Sequence, residues 1–157
     1  MKKKMVIIAA VVLLAAGTVV YAQNDGLNRI KPAIADRDLV IQTAEITENA
    51  LFFPVDIDGV RIEVLAVKAP DGTIRTAFNT CQVCYGSGRG YFVQTGTLLV
   101  CQNCGNRYRM SQVETRAGGC NPAPIFPANK TVTADTITIS REYLRQAKPI
   151  FQRWRRG

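Results

Sequence analysis

Cys81-Gln-Val-Cys84 and Cys101-Gln-Asn-Cys104 are joined by residues 85–100, YGSGRGYFVQTGTLLV, and followed by Gly118-Gly119-Cys120-Asn121-Pro122. These segments hold all five cysteines of a 157-residue chain. A CxxC pair puts two thiols on one tight turn, so both sulfurs can face one ion. Two such pairs, separated by a strand-length segment, can close a tetrahedral shell of four sulfurs. The spacing fits the C-x2-C-x15-20-C-x2-C pattern of metal sites. Gly105 follows Cys104 directly and lets the chain turn with backbone N–H groups aimed back at the sulfurs. Such a shell suits zinc, iron, iron–sulfur clusters and copper(I) alike. A disulfide framework is the competing reading. Five is an odd number, however, and a CxxC bridged to itself closes a very small loop of the kind found in catalytic redox motifs.

Working outward, each pair is expected at the end of a strand. Leu98-Leu99-Val100 delivers Cys101, after Tyr91-Phe92-Val93 and a turn at Gly96. Upstream, Val60–Val67 alternates, with Val60, Ile62, Val64 and Ala66 on one face. Asp71-Gly72 is a tight-turn signal, and Thr73–Phe78 returns to form a hairpin that runs into Cys81. Leu39-Val40-Ile41, with Ala44 and Ile46, reads as a first strand. Leu51-Phe52-Phe53 precedes Pro54, and Val55-Asp56-Ile57 meets the turn Asp58-Gly59. Downstream, Thr131–Thr133 and Thr136–Ile139 read as strands. Ser140 then caps a short helix, Arg141 to Ala147, that ends before Pro149. The predicted fold is mainly β: a small β-rich domain with a ribbon-like double CxxC metal site and a short C-terminal helix.

The length suits one domain. Net charge is +8, and there is no histidine. That excludes Cys2His2 fingers, Rieske ligation, a haem held by His, a His general base, and Ser-His-Asp or Cys-His nucleophile systems. Lys2–Lys4 precede an uncharged run, Met5–Ala22, which reads as a signal peptide cleaved after Ala22 or as an N-terminal anchor helix. Either way the remainder is expected outside the cytoplasm, at the cell envelope in a periplasmic or extracytoplasmic position. Residues 23–38 read as a linker, 39–148 as the Cys-rich domain and 149–157 as a basic, solvated tail. That tail is suited to anionic lipid or an acidic partner.

Three further stretches carry weaker signals. Gly86–Gly90 lacks the lysine and the following helix of a phosphate loop. Asn106–Met110 is basic and aromatic, but export argues against nucleic acid, and no nucleic-acid partner is expected. Met110 is assigned to core packing. Cys120, framed by two glycines and Pro122, is assigned to the metal chemistry.

Thr76-Ala-Phe78, Cys81-Gln-Val-Cys84-Tyr85, Gly90-Tyr91, Cys101-Gln-Asn-Cys104-Gly105 and Gly118-Gly119-Cys120-Asn121-Pro122 occur in that order. Together they resemble the FtrD-like membrane iron–sulfur protein family, from Val40 to Leu144. The resemblance implies a membrane-associated, exported metal-binding domain. It also implies a link to bacterial ferrous-iron uptake beside a high-affinity iron permease. Larger members carry several membrane spans before this domain.

The expected function is non-enzymatic: an exported metal-binding protein, accessory to iron (or copper) handling or to electron transfer at the envelope. Cys81, Cys84, Cys101 and Cys104 would hold the ion, with Cys120 as a fifth ligand or redox-active neighbour. The cofactor is iron–sulfur, zinc or copper. The expected partners are the membrane and an iron permease or other envelope metal-transport component. One alternative is a structural zinc ribbon that supports an interaction surface. A second is a thiol–disulfide protein using one CxxC, which is disfavoured because neither pair is expected to open a helix.

Overall fold

The computed structural model describes residues 29–31 and 33–156. The segment read as a signal or anchor lies outside the described residues. Among them, no helix is long and apolar enough to cross a membrane. The chain begins with β1 (Arg29–Ile30), β2 (Ile34–Ala35), β3 (Leu39–Gln42), β4 (Leu51–Ile57), β5 (Val60–Lys68) and β6 (Ile74–Cys81). It continues with β7 (Phe92–Thr95), β8 (Leu98–Cys101), β9 (Arg107–Arg109) and β10 (Pro122–Pro124). Last come β11 (Thr131–Val132), β12 (Thr136–Ile139), α1 (Arg141–Gln146) and α2 (Lys148–Phe151).

Asp58 and Gly59 both take positive φ, at 46° and 76°. A two-residue type I′ turn demands this at both central positions, which is why Asp-Gly occupies them. The turn sets the β4–β5 register from Ile57↔Val60 to Leu51↔Ala66. β5 then pairs with β6 from Lys68↔Ile74 to Val64↔Phe78, so the expected hairpin forms and delivers Cys81. The central sheet runs β1-β4-β5-β6-β10, with β2 also on β4. Pro54 does not break β4. β1 pairs with Leu51 and Phe52, and β2 with Val55 and Asp56. Pro54, which has no N–H to donate, therefore falls opposite the break between them. The stretch read as a linker thus contributes two strands to this sheet.

Both faces of the central sheet are buried, and strict alternation sorts its residues between them. One face presents Phe53, Val55, Ile57, Ile62, Val64 and Phe78. It is closed by Leu39 and Ile41 of β3, by Ile137 and Ile139 of β12, and by Leu144 and Phe151 of the helices. β3 and β12 pair antiparallel in a second sheet with β11. The other face presents Phe52, Leu65, Val67, Ala77 and Cys81. It is closed by the third sheet, β7-β8-β9, through Phe92, Leu99, Cys101 and Tyr108. Each fully buried Leu, Ile or Phe contributes about 1.5–3 kcal/mol. Met110 lies in this second cluster, in its packing role.

The C-terminal region departs from expectation twice. Ser140 does cap α1, accepting from the Tyr143 N–H at 3.2 Å. α1 ends before Pro149 as expected, but a second short helix, α2, follows at once with Pro149 in its first turn, where its missing N–H costs nothing. The tail, expected to be solvated, is packed. β5 and β6 part beyond Val64↔Phe78, and Trp154 donates from Nε1 to the freed carbonyl of Asn79 at 2.9 Å. Trp154 also stacks edge-on against Tyr91 and packs on Phe151. Arg156 pairs with the buried Glu63 carboxylate and lies over the Phe52 ring, 4.3 Å from its centroid. Burial raises the Glu63 carboxyl above its ordinary range, although Arg156 and Asn79 pull the other way. Removing one partner of such a buried pair costs about 3–5 kcal/mol, because the other charge is left uncompensated.

Candidate metal centre

Three separate segments bring the cysteines together. β6 of the central sheet ends at Cys81, and the chain turns through Cys84 into a 3-10 turn, Tyr85–Ser87. β8 of the third sheet ends at Cys101, which pairs across to Phe92. Its turn closes through the Gly105 N–H, which donates to the Cys101 carbonyl at 2.9 Å. Both CxxC pairs therefore sit at strand ends, as their sequence predicts, and on two different sheets.

The Cys120 loop is fastened from several sides. Asn106 donates from Nδ2 to the Cys120 carbonyl at 2.7 Å, and the Gly118 N–H donates to Gln82 Oε1 at 2.7 Å. The Gln82 N–H donates to the Asn121 carbonyl at 3.2 Å. Further back, the nearly buried Lys130–Glu114 pair, at 2.6 Å, sits on β6, where Glu114 accepts the Thr76 N–H at 2.7 Å. The loop is thus held to both CxxC turns and to the central sheet.

The sulfurs of Cys81, Cys84, Cys101 and Cys120 lie within 4.8 Å of one another. Cys120 Sγ is 3.3 Å from Cys81 Sγ and 2.9 Å from Cys104 Sγ. All five cysteines are free thiols. Cys81 and Cys101 are buried, Cys84 and Cys120 partly buried, and Cys104 exposed. All five expected sulfurs therefore lie together: Cys120 reaches both CxxC pairs, and Cys104, in contact with Cys120, is the exposed member at the rim. Nothing in the CxxC spacing places Cys120 there; the folded path of residues 105–119 does.

Burial sets the acidity of these thiols. It pushes Cys101 up to about 12, against backbone N–H groups of Cys104 and Asn103 that favour the thiolate. It also raises Cys84 and Cys120. Cys104 is lowered to about 7, first by a hydrogen bond from the Cys120 thiol and then by the backbone N–H of Asn106. An ion–sulfur distance near 2.3 Å gives tetrahedral sulfur–sulfur edges of about 3.8 Å, so this donor set fits one thiolate-bound ion.

The model of the FtrD-like family, described as membrane iron–sulfur containing proteins, matches residues 33–151. The chain belongs to the FtrD-like family. No curated protein and no solved structure matches it. The family match starts within the stretch read as a linker and runs through α2, so both short helices belong to the family domain. The family's iron–sulfur description agrees with a cluster of cysteines able to hold metal.

The glycine-rich loop after Cys84 also gains a structural account. A Cβ at Gly88 would fall 2.2 Å from the Arg153 carbonyl oxygen, and one at Gly90 would fall 2.7 Å from the Cys84 carbonyl. The Arg155 N–H donates to the Gly88 carbonyl at 2.8 Å. The loop is thus pressed between the first CxxC and the C-terminal tail. Sequence reading missed this role of Trp154, Arg155 and Arg156. The available signal was the tryptophan, since a solvated tail has no use for one.

Proposed function

We propose that this FtrD-like domain is an exported, membrane-anchored metal protein, accessory to iron (or copper) handling or electron transfer at the cell envelope, and not an enzyme. The observation that carries the reading is the convergence of five free thiols from three segments onto one point. Cys81, Cys84, Cys101 and Cys120 would hold the ion, and Cys104 would stand beside it as the accessible sulfur. Iron bound there would supply one-electron chemistry tuned by the surrounding charge and hydrogen bonds. The chain's own part is to fix four sulfurs on two sheets and a fastened loop, and to exclude water from Cys81 and Cys101. The positive N-terminus and apolar run support the anchor, and the family description supports iron and the membrane. An iron permease or other envelope metal-transport component is the proposed partner class.

A structural zinc ribbon is the second reading, favoured by one observation: the sulfurs join two different sheets and would staple them. A thiol–disulfide activity has less support, because Cys84 leads into a 3-10 turn and neither pair opens an α-helix. Metal analysis and an absorption spectrum of protein purified without oxygen, with and without Cys120→Ser, separate these readings. The expected result is a coloured iron or copper-bearing protein whose spectrum or stoichiometry changes in the variant while the fold survives. A colourless zinc protein indifferent to Cys120→Ser selects the structural ribbon.

A further inference from the structure

We propose that the open end of the cysteine site is a docking surface for a protein with an acidic rim around an apolar centre. The proposal rests on reading the site as a thiolate metal centre and names the kind of partner that reaches it. Val83 and Tyr85 are 67% and 41% exposed. They are two of four exposed large hydrophobics among the described residues, and they flank Cys84. Cys104, the exposed sulfur of the group, lies on the same end of the molecule.

Five arginines lie on the segments that carry the cysteines or cover the Cys84 loop. Arg89 lies in the Cys84 loop and reaches the Gln102 carbonyl at 3.4 Å. Arg107 follows the Cys104 turn, and Arg116 lies in the Cys120 loop. Arg153 and Arg155 are on the tail laid across Gly88. All five are exposed, and among the described residues none is in an ion pair. Elsewhere several cations are paired: Arg61 with Asp56, and Arg141, Arg145 and Lys148 with Asp58. Among the described residues, Arg37, Lys68 and Arg109 are exposed outside any of the ion pairs and are scattered along the chain. Between residues 72 and 134 the sequence has a single acid, Glu114, and Lys130 holds it.

An apolar centre containing Tyr, with Arg around it, is the composition of a protein interface. The uncompensated positive charge specifies an acidic face opposite. A protein can also bring a ligand or redox group to Cys104. A lipid surface would cover that sulfur with nothing able to exchange with it.

The test is an NMR titration of the full chain in detergent, loaded with diamagnetic zinc, using a short synthetic peptide of glutamates around a leucine pair. Amide shifts are expected at residues 82–89, 103–107, 116–119 and 153–155, with affinity falling about tenfold from low to high salt. Val83→Ser and the pair Arg107→Glu/Arg116→Glu should each weaken binding about tenfold without changing zinc content. Absence of binding, or shifts spread equally to Arg61 and Lys148, overturns the proposal. So does equal or tighter binding of this face to phosphatidylglycerol vesicles. Zinc content is measured on the same samples. A chain that takes no metal yet binds the peptide at this face sinks the metal reading and leaves the docking surface standing.

Discussion

The two faces of the central sheet are closed by different chemistry. On the first, β3, β12 and the two helices bury an almost unbroken set of aliphatic and aromatic side chains. On the second, the three short strands β7, β8 and β9 bring fewer apolar groups. Buried polar groups join them: Glu63, Asn79 and Gln94. Asn79 donates to Glu63 Oε1 at 2.7 Å and accepts the Phe92 N–H at 2.8 Å, which ties β6 to β7. Gln94 accepts the Ala50 N–H at 2.7 Å, which ties β7 to the chain entering β4. Sulfur from both sheets meets at one end. A small third sheet with this little apolar area needs directed bonds, and a bound ion would supply the strongest of them. The first face specifies the fold; the second specifies a position for the cysteines.

Removing the metal should expose that difference most strongly. After a thiol-competing chelator, amides of β7, β8 and β9 are expected to exchange roughly a hundredfold faster while β4, β5 and β12 stay protected. Uniform loss of protection would mean that the two faces are one cooperative unit. No change would mean that the ion contributes nothing to the second face.

The reverse experiment perturbs the first face. Leu144 is fully buried there, and Leu144→Ala should cost about 2–5 kcal/mol in denaturant unfolding. Metal content per folded molecule should not change. A variant that folds but loses its metal would show that the site depends on the helical layer directly.

The smallest perturbation probes the sulfurs alone. Cys104 is lowered to about 7, and a thiol reacts as the thiolate that forms above its pKa. In the reduced, metal-free chain its alkylation should therefore rise through neutral pH and come first. Cys101, pushed up to about 12 and buried, should lag at every pH below that value. Mass spectrometry of partly alkylated protein reads the order. Labelling of Cys120 or Cys84 ahead of Cys104 would contradict the placement of Cys104 at the rim.

Local chemistry was legible where it was self-contained. The Asp-Gly turn, the alternating Val60–Val67, the Ser140 cap and the two CxxC turns each carry their geometry within a few residues. What was hidden depends on distant partners. Pro54 remains in a strand because β1 and β2 break opposite it, and no local rule shows that break. The alternation of β5 identified one buried face, but Leu65 and Val67 are buried on the other by a sheet that starts at Phe92. The tail reads as basic and solvated until Glu63 supplies a buried carboxylate for Arg156. In the same way, Cys120 comes up against Cys81 and Cys104 because Asn106 and Gln82 fasten its loop.

The contact between Gly88 and the tail has a consequence for timing. A growing chain acquires Cys84 some seventy residues before it acquires Arg155, whose N–H closes on the Gly88 carbonyl. Until then the loop beyond the first CxxC has no ceiling, and Glu63 has no cation. The thiols can meet earlier, but their final arrangement waits for residues 154–156. A nascent chain halted before Trp154 would therefore present the same cysteines beside an uncovered loop.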